Sequence, residues 1–142
     1  MTFSQLLHLF ATGALVGLIW TIQLVHYPSF HFVSEQEFLA FHRHHSRSIT
    51  TVVMPLMLLE LGLAFWNAYA ANWHWTWLLP LIGVLLIWAI TFVGAVPLHQ
   101  QLGVAKATPG IDRLVFINWS RTVLWTLMGV WLLYIIWRGE TI

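Results

Sequence analysis

Four apolar stretches, each about as long as a bilayer is thick, constrain this chain more than anything else in it. They run from about 6 to 25, 49 to 71, 75 to 96 and 114 to 137. A helix needs about 20 apolar residues to cross the hydrocarbon core. Backbone groups in hydrocarbon must be satisfied within the chain, so the stretches are expected to be helices and not strands. Composition agrees: 59% of the 142 residues are hydrophobic and 8% are charged. Soluble domains run at about 45–50% and about 25%. A chain this size leaves roughly a third of its unfolded surface exposed after folding, and it has too few charges to coat that surface. The expectation is an all-α integral membrane four-helix bundle, one domain over 1–142. No Lys or Arg precedes the first stretch, so it lacks the basic start of a cleaved signal and reads as a retained span.

Several chemistries are excluded. A net charge of +1 with six Lys and Arg does not suit a nucleic-acid partner. Without cysteine there is no disulfide, thiolate metal site, cysteine nucleophile or c-type haem attachment. There is no phosphate-cradling glycine loop, no nucleophile elbow and no zinc-protease helix motif. The ten Trp suit membrane interfaces.

An even number of crossings places both termini on one side and the two long connectors, His26 to Ser48 and Pro97 to Arg113, on the other. Arg43, Arg47, Lys106, Arg113 and Arg121 lie on or near the connector side, against Arg138 at the terminal side. The positive-inside rule makes the connector side cytoplasmic. Ser34-Glu35-Gln36-Glu37 is a capping box. Phe38, Phe41, His42 and His45 follow on one helical face. They predict a short interfacial helix over 35–47 or an extension of helix 2. Pro55 is expected to kink helix 2, Pro28 and Pro97 to close helices 1 and 3, and 103–110 to be a plain loop. Val25-His26-Tyr27-Pro28 is faintly echoed by Val96-Pro97-Leu98-His99, as a duplicated helical hairpin would be.

Polar residues are scarce, so their placement is informative. Of eight His, six fall on the connector side: His26, His31, His42, His44, His45 and His99. The topology brings His26, His42, His45, His99, Asn118 and Arg121 to one end of the bundle. Imidazole is the commonest metal ligand and suits Zn, Cu and Fe, haem iron included. His42 and His45 are placed to hold an ion from one helix, with His26 and His99 completing the set. The haem b alternative uses two of these as axial ligands, with Arg43, Arg47 or Arg121 on the propionates. The plainer alternative is interfacial His bonding to lipid headgroups.

Glu60 lies near the middle of helix 2, roughly 20 Å from Arg47 at helical rise. A carboxyl at that depth costs about 2.5–3.5 kcal/mol on insertion scales and marks a functional hypothesis. It is expected to face the interior near Tyr134 and Trp88, and either to shuttle protons or to fix helix packing. Asn118 and Arg121 would orient a substrate or cofactor, Arg121 otherwise snorkelling to lipid phosphate. Tyr27 reads as an aromatic-belt residue, and His8 and His74 as interfacial.

His26-Tyr27-Pro28, Phe41-His42 with His45, Met57-Leu58-Leu59-Glu60, Val96-Pro97-Leu98-His99 and Asn118-Trp119 with Arg121-Thr122 together resemble an uncharacterised family of small bacterial four-helix membrane proteins. That resemblance covers about 23 to 126, implies a bacterial inner-membrane location and brings no established activity. In size and four-span layout alone the chain is similar to the anthrone-oxygenase-like membrane proteins and the small haem-binding protoporphyrinogen oxidases. His42-Arg43-His44-His45 resembles a single histidine box of the di-iron desaturases, one residue short. The leading expectation is a membrane oxidoreductase or oxygenase acting on a lipid-soluble small molecule, with a non-haem metal or haem b. The rivals are a non-enzymatic carrier, homo-oligomer or subunit of a membrane complex, and a proton-coupled transporter using Glu60.

Overall fold

The computed structural model describes residues 1–139; residues 140–142 of the expected single domain lie outside that range. The described residues contain no strand. Four helices account for nearly all of them: α1 Phe3–Phe32, α2 Glu35–Ala70, α3 Trp75–Leu102 and α4 Thr108–Trp137. They have 30, 36, 28 and 30 residues, and each is long and apolar enough to cross a membrane. α1 packs against α2 and α4, and α3 against the same two, which makes a ring with α1 and α3 on one diagonal. Leu15, Ile19, Val84, Ile87 and Leu132 fill its axis. Phe10, Val93, Leu127 and Val130 point outward, each at least 60% exposed. An apolar exterior around an interior holding twelve buried polar or charged side chains is the reverse of a soluble bundle.

The connectors are shorter than the sequence suggests. Ser34 caps α2 as expected, its Oγ accepting the Glu37 N–H at 3.3 Å. From Glu35 the helix then runs to Ala70 without a break, through Pro55, so residues 35–47 are the first turns of α2. That leaves Val33 and Ser34 as the first connector. α4 starts at Thr108 with Pro109 in its first turn, where a missing N–H costs nothing. The second connector is therefore 103–107. Lys106 ties the two together, its Nζ donating to the carbonyls of His31 and Val33 at 3.2 and 2.6 Å. His31 and Asp112 pair at 3.1 Å.

Pro28 and Pro97 do not close their helices. Ahead of each stands a π turn, Ile22–His26 in α1 and Thr91–Ala95 in α3, and helical structure continues to Phe32 and to Leu102. A proline ring clashes with the carbonyl four residues earlier and brings no N–H. A wider turn moves that carbonyl aside, so the chain need not leave the helix. Each π turn begins six positions before its proline. The faint sequence echo thus has a local structural counterpart, and it sits where the histidines are.

Candidate functional site

α1 delivers His26 and Tyr27 from its π turn and the turn after it. α2 delivers His42 and His45 one turn apart, and α3 delivers His99 two residues past Pro97. The four imidazoles meet at the rim where α1 and α3 finish and α2 and α4 begin. Ring centroids are 4.2 Å apart for His26 and His45, 5.3 Å for His42 and His99, and 5.8 Å for His45 and His99. His42 and His45 are only 3% and 5% exposed. Phe30, wholly buried, stands edge-on to His26, His42 and His45 and walls the cluster from below. Its backbone site gave no warning of that role: Phe30 looks like any apolar connector residue in the sequence.

The hydrogen bonds have a direction. The Arg121 guanidinium, 5% exposed on α4, lies beside the Tyr27 hydroxyl. A guanidinium only donates, and a cation there draws the Tyr27 lone pairs toward itself, which favours the O–H donating to His99 Nε2, 2.9 Å away. His99 then carries its own hydrogen on Nδ1 and donates it to His42 Nε2 at 3.1 Å. Neutral imidazole has one donor and one acceptor nitrogen, so His42 keeps its hydrogen on Nδ1. The second pair, His26 Nε2 and His45 Nδ1, is 2.5 Å apart. His45 Nε2 is buried and has no partner.

Tyr27 is therefore a core residue, 3% exposed, and not part of an aromatic belt. Asn118 and Arg121 both face the interior beside the cluster. Asn118 donates to Gln23 Oε1 at 2.8 Å, and Gln23 donates to the Val115 carbonyl at 3.3 Å, which pins α1 to α4. Asn118 Oδ1 and Arg121 Nε are buried without partners. Arg43, Arg47 and His44 are exposed on α2 and outside the buried cluster. His31 lies outside the cluster, paired with Asp112.

Glu60 is wholly buried, as its depth suggests, but its neighbours differ from those expected. Its two oxygens accept from the Thr12 hydroxyl at 2.8 Å and the Trp125 indole N–H at 3.0 Å. Tyr134 is 45% exposed and points outward. Depth counting compared heights along the helices, whereas helix rotation chose the partner. The Arg121 guanidinium stacks 5.4 Å from the Trp125 ring centroid, so one indole links Arg121 to Glu60. At the far end of the bundle His8 is wholly buried and not interfacial. Asn67 donates to its Nδ1 at 3.3 Å and accepts from Ser4 at 2.8 Å. His74 is exposed, as expected for an interfacial residue.

Among the described residues no group of three or more His, Asp or Glu is arranged to hold a metal ion. Two imidazole pairs, each joined by one hydrogen bond, take the place of a converging triad. The donor chemistry suits a borderline metal, and His45 Nε2 is an open buried nitrogen, but closing a metal site requires the rings to turn. No protein-family model, curated protein or solved structure matches the chain.

Proposed function

We propose that this chain is a membrane-embedded oxidoreductase or oxygenase of the bacterial inner membrane, acting on a lipid-soluble small molecule at the imidazole cluster. The observation that carries the reading is the meeting of His26, His42, His45 and His99, from three helices, behind an apolar exterior. Bringing four imidazoles together inside a bundle forfeits their hydration, and a shared cation repays that. The residues that would hold iron, copper, zinc or haem b are these four. Such a group supplies the redox or Lewis-acid chemistry; the chain orients and polarises around it. Arg121 and Tyr27 set the His99 tautomer, Asn118 and Gln23 fix the α1–α4 spacing beside the site, and Glu60 is a protonatable group deeper in the bundle. The basic residues near the connectors support a cytoplasmic cluster with both termini outside.

A second reading is a non-enzymatic small-molecule carrier or complex subunit. The pairing of the imidazoles favours it, because His42 bonds to His99 and His26 to His45 without a metal. Metal analysis and an absorption spectrum of the purified, detergent-solubilised protein separate the two. Stoichiometric metal or a Soret band that is lost in His45→Ala and His99→Ala supports the enzyme. Metal-free protein whose phenotype survives both substitutions supports the carrier.

A further inference from the structure

A cleft of about 380 Å³ opens between α2 and the end of α3, beside the imidazole cluster. Small-molecule sites run from about 300 to 1,000 Å³. His42 and His99 line it together with Arg43, Ser46, Thr50 and Gln100, and no carboxylate does. Arg43 brings the one full charge, and Ser46 and Gln100 carry groups able to donate. In the arrangement that Tyr27 and Arg121 favour, His42 accepts at Nε2 and its Nδ1–H is left to donate.

Ser46 is the group that points to a ligand. Inside a helix, Ser and Thr hydroxyls commonly bond to the carbonyl one turn back. Thr50 and Thr51 do so here, to the carbonyls of Ser46 and Arg47 at 2.7 and 3.0 Å. Ser46 does not, and its Oγ is buried with no partner. Buried hydroxyls are rarely left that way. Gly103 closes the cleft on the other side. A Cβ there would meet the carbonyl oxygens of His99 and Gln100 at 3.3 Å and the His42 ring at 3.9 Å. A larger side chain at this position would crowd the His42 ring and the cleft beside it.

We propose that this cleft binds the anionic head of a small amphiphile, a carboxylate or equivalent oxyanion. Arg43 neutralises its charge at the mouth, Ser46 donates to it once its buried hydroxyl turns into the cleft, and the His42–His99 pair stands at the inner wall. Ile49 and Val96, also lining the cleft, give the apolar tail its way out. This names the substrate class of the function proposed above, and it rests on that function only for the statement that the bound molecule reacts.

The test is calorimetric titration of the protein in phosphatidylcholine nanodiscs with decanoate and with 1-decanol. Decanoate should bind saturably at one site, and decanol at least tenfold more weakly. Arg43→Gln should weaken decanoate roughly tenfold, as loss of a charge-assisted contact does. Ser46→Ala should weaken it by roughly three- to tenfold, and Gly103→Leu should abolish it. Size-exclusion profiles of the variants report folding separately. Unsaturable partitioning, equal binding of the alcohol, or an isotherm unchanged in Arg43→Gln and Ser46→Ala overturns the proposal. Phosphatidylglycerol discs identify the source of the anion. Competition with decanoate supports the site and assigns it to a lipid headgroup; an unchanged isotherm supports it and assigns it to a free amphiphile. Metal content is measured on the same samples. Binding by metal-free protein leaves this site standing while the redox reading fails, and metal without binding does the reverse.

Discussion

Tyr27 and His99 are 72 positions apart in the chain, and the Tyr27 hydroxyl is hydrogen-bonded to His99 Nε2 at 2.9 Å. The Arg121 guanidinium beside that hydroxyl favours the Tyr27 O–H donating to His99, an order that passes on through His99 to His42.

Nitrogen-15 NMR of labelled histidine should therefore show His99 with its hydrogen on Nδ1. Tyr27→Phe removes the donor to Nε2 and strands the Arg121 guanidinium. His99 should then lose its fixed tautomer, and stability should fall by about 1–3 kcal/mol, the cost of an unsatisfied buried group. A spectrum unchanged by Tyr27→Phe would show that the relay does not set the tautomer.

Glu60 gives a graded series. Glu60→Gln keeps a carbonyl for the Trp125 N–H and an amide that can donate to the Thr12 oxygen, so the loss should stay below about 1 kcal/mol. Glu60→Leu leaves both groups unpartnered and should cost about 1–3 kcal/mol or more. Thermal unfolding in detergent reads the difference. Equal losses in the two variants would mean that the hydrogen bonds contribute nothing.

The Asn67–His8 contact should be modest. Interhelical hydrogen bonds between spans average about 0.6 kcal/mol and reach about 1.7. A double-mutant cycle of Asn67→Ala and His8→Ala should return a coupling inside that range, measured by unfolding in mixed micelles. A coupling of zero would make the buried pair incidental.

The π turn of α3 is expected to exist for the sake of Pro97. Deleting Val93, which is 81% exposed, leaves one residue too few for the wide turn and drives the proline ring into the helix. The cost should be about 3 kcal/mol. Adding Pro97→Ala to the deletion should recover most of it. Failure of that rescue would show that the turn serves something other than the proline.

Much of the architecture was legible before any coordinates. Spans of about 20 apolar residues are a local property, and so is the Ser34 cap. The gathering of His26, His42, His45 and His99 at one rim followed from counting crossings, since an even number returns those helix ends to one place. Boundaries were less legible. Residues 35–47 and 108–113 are polar enough to look like connectors, yet a helix prolonged beyond the apolar layer keeps its hydrogen bonds whether or not its side chains are apolar. The continuation of α1 and α3 past Pro28 and Pro97 was hidden because proline argues for a stop unless the preceding turn widens, and no residue type announces a π turn.

By itself the amino-acid order determined how many helices form, which residues share a face of each, and at which end the imidazoles gather, because periodicity and length act along a single helix. Only the tertiary structure decided that Thr12 and Trp125 hold Glu60, that Tyr27 turns inward to His99, and that His8 is buried on Asn67. Those choices depend on the rotation of one helix against the next. The packing of all four together sets that rotation, and no single stretch of sequence carries it.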